Sequence, residues 1–496
     1  SKPGKSAVDL FKSLKTGQIK AVWIACTNPA QSLPNQAAVR EALAAAEYVV
    51  LQEAYGNTDT AAYADLLLPA SGWGEKFGTV TNSERCITRV MPAVDAPGEA
   101  RHDWEIVVDF ARRLGRNLGN DGTATLFPYA DAEAIFNEHR ETTRGRDLDI
   151  TGLSYALLEA DGPQQWPYPE GAATGKRRLY EDGRFPTADG KARFVPVEHQ
   201  PTSDAISTAL PISLLSGRLR DHWHGMSRTG TVPRLFNLED EPLLAMHPCD
   251  MRHRGLESGD LVKVSNGRGE VAVRIAERAG LKKGRAWMPM HWGSQFMNSP
   301  GANALACDAT DPYSRQPELK HAAVQIEKLD LPYPLAVVRS CDTQPEALEM
   351  MQCARVLLAA FPYATLGLYG RKRPLVVFRA AAATATDATT IAALDRLFGM
   401  AGDDGAIIYA DAARKVSKKA IALNGRLLGV RLAGETLAQT WLKRAMAEDE
   451  LDAGMIRFAL APSAKPPGNI VPRNIICKCA DVSDVQIRQA VDGGAG

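Results

Sequence analysis

LLSGRLRDHWHGM, residues 214–226, is the stretch on which the reading of this chain turns. Apolar residues Leu210, Ile212, Leu214 and Leu215 lead into it and suffice for a short buried strand. Ser216 and Gly217 interrupt the run, and Arg218, Arg220, Asp221, His222, Trp223 and His224 follow in close succession. Arginine forks match phosphate or carboxylate oxygens, and glycines such as Gly217 and Gly225 admit a ligand close to the backbone. Such a cluster at a strand end suits a large anionic ligand. The same residues also fit a solvated loop, and His-x-His alone is a weak metal signal.

Downstream, Leu261–Ser265 and Glu270–Ala276 alternate with period two across Asn266-Gly267-Arg268-Gly269, Arg285–Met290 is a third strand, and His247–Arg254 fits a short helix. Short strands with tight turns predict a small closed β-barrel over residues 206–330. Met288-Pro289-Met290-His291-Trp292-Gly293 repeats the strand, His, Trp, Gly order of the opening stretch, so the two strand ends are expected to share one rim.

Upstream, apolar runs at Ile19–Ala25, Tyr48–Leu51 and Ala64–Pro69 alternate with helical patterns, one capped by Asn35 and another over Asp103–Leu114 closed by Gly115. This predicts a doubly wound α/β domain over residues 1–120. Ligands lie at the carboxyl ends of such strands, which singles out Asn28, Gln52 and Glu53. A carboxylate after the second strand suits a ribose or a guanine edge, and equally a loop acid. No G-x-G-x-x-G follows the first strand, so an ordinary dinucleotide fold is not supported. Lys76 and Asp103 add charges near a loop and a helix start.

Residues 121–205 read as an extended return segment, too polar around Gly162–Pro169 to form a core. Residues 331–468 begin afresh as an α+β extension, with a strand at Leu375–Phe378, helices at Asp387–Phe398 and Leu437–Met446, and a Lys419–Leu432 hairpin about Asn424-Gly425. Four prolines in Pro462–Pro472 mark a linker, and Ser483 is placed to cap a last helix.

The 496 residues include 58 basic and 58 acidic side chains, so no bulk field favours nucleic acid or a membrane surface. No apolar run approaches the roughly 20 residues of a membrane span. Eight cysteines without a framework of spacings argue against a disulfide scaffold and for a reducing, cytoplasmic setting. Ser1–Gly17 lacks the apolar segment of a signal peptide and an initiating Met, so the natural start is expected elsewhere.

SGRLRDHWHG, the later MHWG, Asn303 in GANAL and DPYSRQPELK resemble the C-terminal barrel domain of molybdopterin oxidoreductases of the dimethyl sulfoxide reductase family. TNPAQSLPN, VLQEA, TAAYADLLLPASGWGEKFGTVTNSER and APGEARHDW resemble the domain before it, so the resemblance spans roughly residues 15–330. Within the family the chain is most similar to cytoplasmic assimilatory nitrate reductases. The resemblance implies a molybdenum bis(molybdopterin guanine dinucleotide) cofactor. Asn28, Gln52, Glu53, Lys76 and Asp103 match positions that hold one guanine dinucleotide arm. Ser216, Gly217, Arg218, His222, Trp223, His224 and Gly225 match the loop around the pterin. Asn303 and Lys320 match later cofactor contacts, and Met290 or His291 falls where a substrate-funnel residue lies.

Cys477-Lys478-Cys479 and the residues after it resemble the start of a bacterioferritin-associated-ferredoxin-like [2Fe–2S] domain over residues 469–496. That cluster takes four thiolates, and here there are two. Residues 405–450 resemble the small domain before such a module in flavin-dependent nitrite reductases, a docking or spacer domain. In the family the [4Fe–4S] cysteines and the molybdenum ligand lie in an N-terminal half that these motifs do not include. The chain is therefore expected to be the C-terminal portion of a nitrate reductase fed by a flavin reductase or a ferredoxin-like donor, and inactive by itself. The alternatives are a portion of a formate dehydrogenase-like molybdoenzyme, or a non-catalytic cofactor-binding or electron-transfer docking module.

Overall fold

A computed structural model describes residues 3–119, 122, 126–449, 451, 453–467, 475–477, 480 and 482–495. Strands β1 (Ala21–Ala25), β2 (Tyr48–Glu53) and β3 (Leu66–Pro69) pair in parallel, with β2 in the middle. Helices α1 (Ala7–Lys15) and α3 (Gln36–Ala45) bury one face through Phe11, Leu14, Ile24, Leu43 and Leu51. On the other face Phe110 of α4 (Asp103–Asn117) meets the edge of Trp23 at 4.8 Å. Helices on both faces of a parallel sheet are the doubly wound arrangement the sequence predicts. Two details differ. Gln52 and Glu53 are the last residues of β2 rather than its loop, and Gly115 lies inside α4, where burial outweighs a cost of about 1 kcal/mol for a helical glycine. Gly119, at φ 69°, makes the turn instead.

The return segment, residues 121–205, is only partly the polar excursion expected, because its first part joins strands from residues 78–90 of the preceding domain. Strands β4 (Gly78–Thr81), β5 (Cys86–Val90) and β6 (Gln164–Gln165) form a small antiparallel sheet. Helices Ala132–Thr142 and Tyr155–Ala160 pack on it around Ile87, Phe136, Leu153, Leu158 and Tyr168. Apolar residues spread over 80 positions build this satellite core, so no single window shows it. Beyond it, residues 173–205 contain no helix or strand.

The barrel closes in the order β10-β8-β11-β7-β12-β9. Its strands are β7 (Ile212–Gly217), β8 (Leu243–Met246), β9 (Leu261–Asn266), β10 (Gly269–Glu277), β11 (Arg285–Pro289) and β12 (His321–Lys328). Along β10, Val271, Val273 and Ile275 point inward and alternate with more exposed neighbours. β7 and β11 run parallel with Gly217 opposite Pro289, so Arg218 onward and Met290 onward leave the barrel at the same end.

Residues 331 onward do not start a separate core. Strands β13 (Tyr333–Ser340), β14 (Tyr363–Tyr369), β15 (Leu375–Ala382), β16 (Ala406–Asp411), β17 (Val416–Leu423) and β18 (Arg426–Ala433) form one sheet ordered β14-β15-β13-β18-β17-β16. Its Val337, Leu366 and Phe378 share a single buried cluster with Phe236, Val262 and Phe296 of the barrel region. Backbone joins them too: Leu366 N–H donates to the Phe296 carbonyl at 2.8 Å, and Asn298 N–H to that of Ala364 at 3.2 Å. Near this junction Asp240 is held by Arg379 and Lys443, and Tyr363 donates to Glu241 at 2.7 Å. At the C-terminus Ile475–Cys477 pairs with Val482–Ser483, and Ser483 caps Asp484–Asp492. Cys479 lies outside the described residues.

Candidate cofactor site

The parallel register of β1 and β2 sets Ala25 beside Gln52, and the first turn of α4 supplies Asp103. Gln52 Nε2 donates to Asp103 Oδ1 at 2.8 Å, and Lys76 Nζ reaches Oδ2 at 3.0 Å. Cys26 Sγ stands 3.5 Å from the same carboxylate. Burial opposes the Asp103 charge, yet the bonds from Gln52 and Lys76 win and hold its carboxyl below the usual range. Burial pushes Glu53 up, countered by the Ala54 amide and by the charge of Arg228. Gln52 is 1% exposed and its Oε1 lacks a hydrogen-bond partner. A buried acceptor left this way costs about 1–3 kcal/mol, which an N–H donor from a ligand would offset.

The rim loop faces these strand ends. Arg218 stacks 4.5 Å over Trp223, which is half exposed, and His224 meets the edge of the same ring at 4.7 Å. Burial, then Arg218, Arg228 and Lys320, hold His224 below an ordinary histidine. Lys320 Nζ lies 3.5 Å from Met290 Sδ, and Ser216 Oγ donates to the Leu319 carbonyl at 2.8 Å. His222 is buried among Phe236, His291 and Trp292, and burial lowers its pKa to about 4. The loop is thus cationic through Arg218, Arg228 and Lys320 while its histidines are neutral.

Three expected ligand contacts are occupied by protein. Asn28 Oδ1 accepts from Thr60 N at 3.0 Å, and its Nδ2 donates to Gln31 and Asp59 at 3.1 and 3.3 Å. Asn303 Nδ2 donates to the Ser32 and Gln31 carbonyls at 2.9 and 3.2 Å, ending helix α2 (Pro29–Ser32). Both belong to a polar seam between the α/β domain and the barrel. There Asp59 takes Arg40 at 3.3 Å and also Ser294, while Gln31 Nε2 donates to the His291 carbonyl at 2.9 Å. His291 has no exposed surface and both ring nitrogens bond to backbone, so it offers none to a substrate. The glycines change meaning as well: a Cβ on Gly217 would meet the Trp287 indole at 2.7 Å, and one on Gly225 would meet Gln31 at 2.0 Å.

Sequence reading missed Gln31, Arg40, Asp59 and Arg228. Gln31 stood inside a quoted motif, and Arg228 lies two residues past the stretch considered. Asp59 and Arg40 gave no signal, because their partner Ser294 is more than 230 positions away.

Residues 1–113 match the molybdopterin oxidoreductase family and residues 212–323 the molydopterin dinucleotide binding domain. The chain thus carries a region matching molybdopterin oxidoreductases followed by one matching a molydopterin dinucleotide binding domain. The strand-end set lies in the first domain and the rim in the second. A nitrate reductase of Klebsiella oxytoca is 39% identical over 332 residues, 65% of this chain and 37% of that protein. The assimilatory nitrate reductase catalytic subunit of Bacillus subtilis is 33% identical over 65% of this chain and 44% of its own length. The F420-dependent formate dehydrogenase subunit alpha of Methanocaldococcus jannaschii is 34% identical over 63% and 43%. The match thus spans less than half the length of these relatives. A molybdopterin dinucleotide fits the residues present: an acceptor-rich strand end with the unpartnered Gln52 oxygen for a base, and a cationic rim for phosphates. Among the described residues no group of three or more His, Cys, Asp or Glu side chains could hold a metal ion, and no helix is long and apolar enough to cross a membrane.

Proposed function

We propose that this chain contributes the guanine dinucleotide and pterin contacts of a cytoplasmic assimilatory nitrate reductase, which reduces nitrate to nitrite by two electrons. The reading rests on two sets, Gln52, Glu53, Lys76 and Asp103 at the strand ends and Arg218, Trp223, His224, Arg228, Met290 and Lys320 on the rim, and is supported by the charge of Arg228 acting on Glu53 and by Gly225 lying against Gln31. The first set would hold a guanine base and ribose, the second a pyrophosphate and pterin. Molybdenum, once bound through the pterin, would supply the oxygen-atom and electron chemistry. Arg218, Arg228 and Lys320 would draw nitrate toward the mouth and favour negative charge there. Met290 remains the candidate for the substrate funnel. Cys477 and Cys479 would give two of the four thiolates of a [2Fe–2S] cluster, with electrons arriving from a flavin reductase or ferredoxin-like protein.

The formate dehydrogenase relative supports a second reading, in which the same cofactor serves formate. The family resemblance puts the molybdenum ligand in a part of the protein not represented here, so turnover is expected of the full-length reductase and not of these residues alone. A viologen assay of the full-length protein, with reduced dye as donor for nitrate and oxidised dye as acceptor for formate, separates the readings. Nitrate-dependent dye oxidation supports the first, and formate-dependent dye reduction without nitrate activity sinks it.

A further inference from the structure

His291 leaves β11 at the rim, yet its ring is fully buried beneath the loop it meets. Leu219 N–H donates to its Nε2 at 2.8 Å, and its Nδ1 lies 2.7 Å from the His224 carbonyl oxygen. A backbone N–H can only donate and a carbonyl oxygen can only accept. Nε2 is therefore bare, Nδ1 bears the proton, and the ring is neutral. The two bonds grip the loop at both ends of the arc from Leu219 to His224. That arc ends in strained backbone, with His224 at φ 44° and Met226 at φ 62°. Non-glycine residues in the left-handed region persist only where the surroundings over-determine them.

We infer that His291 is the latch of the rim loop, a positioning residue that keeps Leu219–His224 closed while its ring is neutral and releases it on protonation. A second ring proton would set an N–H against the Leu219 N–H, replacing an attraction with two opposed donors. The groups facing the ring are His222 at 5.8 Å, Trp292 at 6.4 Å, the His224 carbonyl, and the charges of Arg218 and Lys320. Burial, joined by Arg218, His224 and Lys320, holds His291 below an ordinary histidine although the His224 carbonyl opposes this. The closed loop is then at full strength above the ordinary histidine value and loses stability as pH falls below it. What the loop grips when closed rests on the cofactor reading; the latch itself does not.

Amide hydrogen exchange across residues 218–225 of the full chain, corrected for intrinsic rate, tests this without any cofactor. Wild type is expected to be protected at pH 7.5 and to lose roughly tenfold or more by pH 5, the scale of one lost hydrogen bond. His291→Gln can still accept from Leu219 and donate to His224 but takes up no proton, so it should stay protected at both pH values. His291→Leu should be unprotected at both, and His224→Gln should keep the acid response. An acid loss that persists in His291→Gln overturns the latch, as does equal protection in wild type and His291→Leu. Should His291→Leu fail to fold, the wild-type and Gln comparison decides alone.

Discussion

Gly225 and Gly293 lie on two sides of one amide, that of Gln31, where a Cβ would come within 2.0 and 2.7 Å of it. Gly225→Ala is therefore expected to destabilise the chain by about 1–3 kcal/mol in denaturant unfolding, the scale of an overpacked site. In a Gln31→Ala background most of that penalty should vanish. Strictly additive costs would show that the two do not share the site. The sequence correctly marked the glycine as a place of close approach but assigned the approach to a ligand. The partner that explains it sits nearly 200 residues upstream, and spacing gives no view of such pairs. The same holds for Asn28 and Asn303. Their residue type was legible as polar and placed, while their consumption in the seam depends on Thr60, Ser32 and other groups brought together only by packing.

The clearest element-level result is the sheet that backs the barrel. Its β17–β18 hairpin was legible because Asn424 and Gly425, at φ 50° and 75°, make the two-residue turn their types favour. β14 is buried along nearly its whole length and β15 likewise. Strands covered on both faces lose the alternation that identifies them, so β13 and β14 were not anticipated, and the exposed edge strand β16 was missed as well. This sheet meets the barrel through Asp240, whose carboxyl burial would raise but which Arg379 and Lys443 hold well below the usual range. Asp240→Asn leaves two buried cations without their counter-charge and should cost about 3–5 kcal/mol at neutral pH. The sign follows from the lowered value: the contribution is complete above the ordinary carboxylate range and declines as pH falls below it. Urea unfolding of both proteins from pH 7 to pH 3 should show the gap narrowing in acid; a constant gap would mean that Asp240 is not the charged partner.

For the whole molecule, the barrel and the extension share the buried cluster around Phe236, Phe296 and Phe378, and the expected outcome is that they unfold as one cooperative unit. Calorimetry should give a single transition for residues 206–467, and residues 206–330 alone should not fold. Two separate transitions would restore the boundary at 331 that the sequence suggested. That boundary looked real because the motifs carrying the family resemblance stop there, whereas the core runs on. The α/β and barrel architecture behind the proposed cofactor mouth was the more legible part, since parallel strands place their carboxyl ends together wherever the pattern is strong. Its central claim is that Gln52 and Asp103 hold a guanine base beside a cationic rim. The direct measurement is guanine released by acid from the chain purified anaerobically from a host that makes the cofactor, for wild type, Gln52→Leu and Asp103→Ala. The account predicts guanine near stoichiometry in wild type and at least roughly tenfold less in both variants, for the loss of one or more buried hydrogen bonds. Guanine retained equally by all three, or absent from folded wild type, would contradict it.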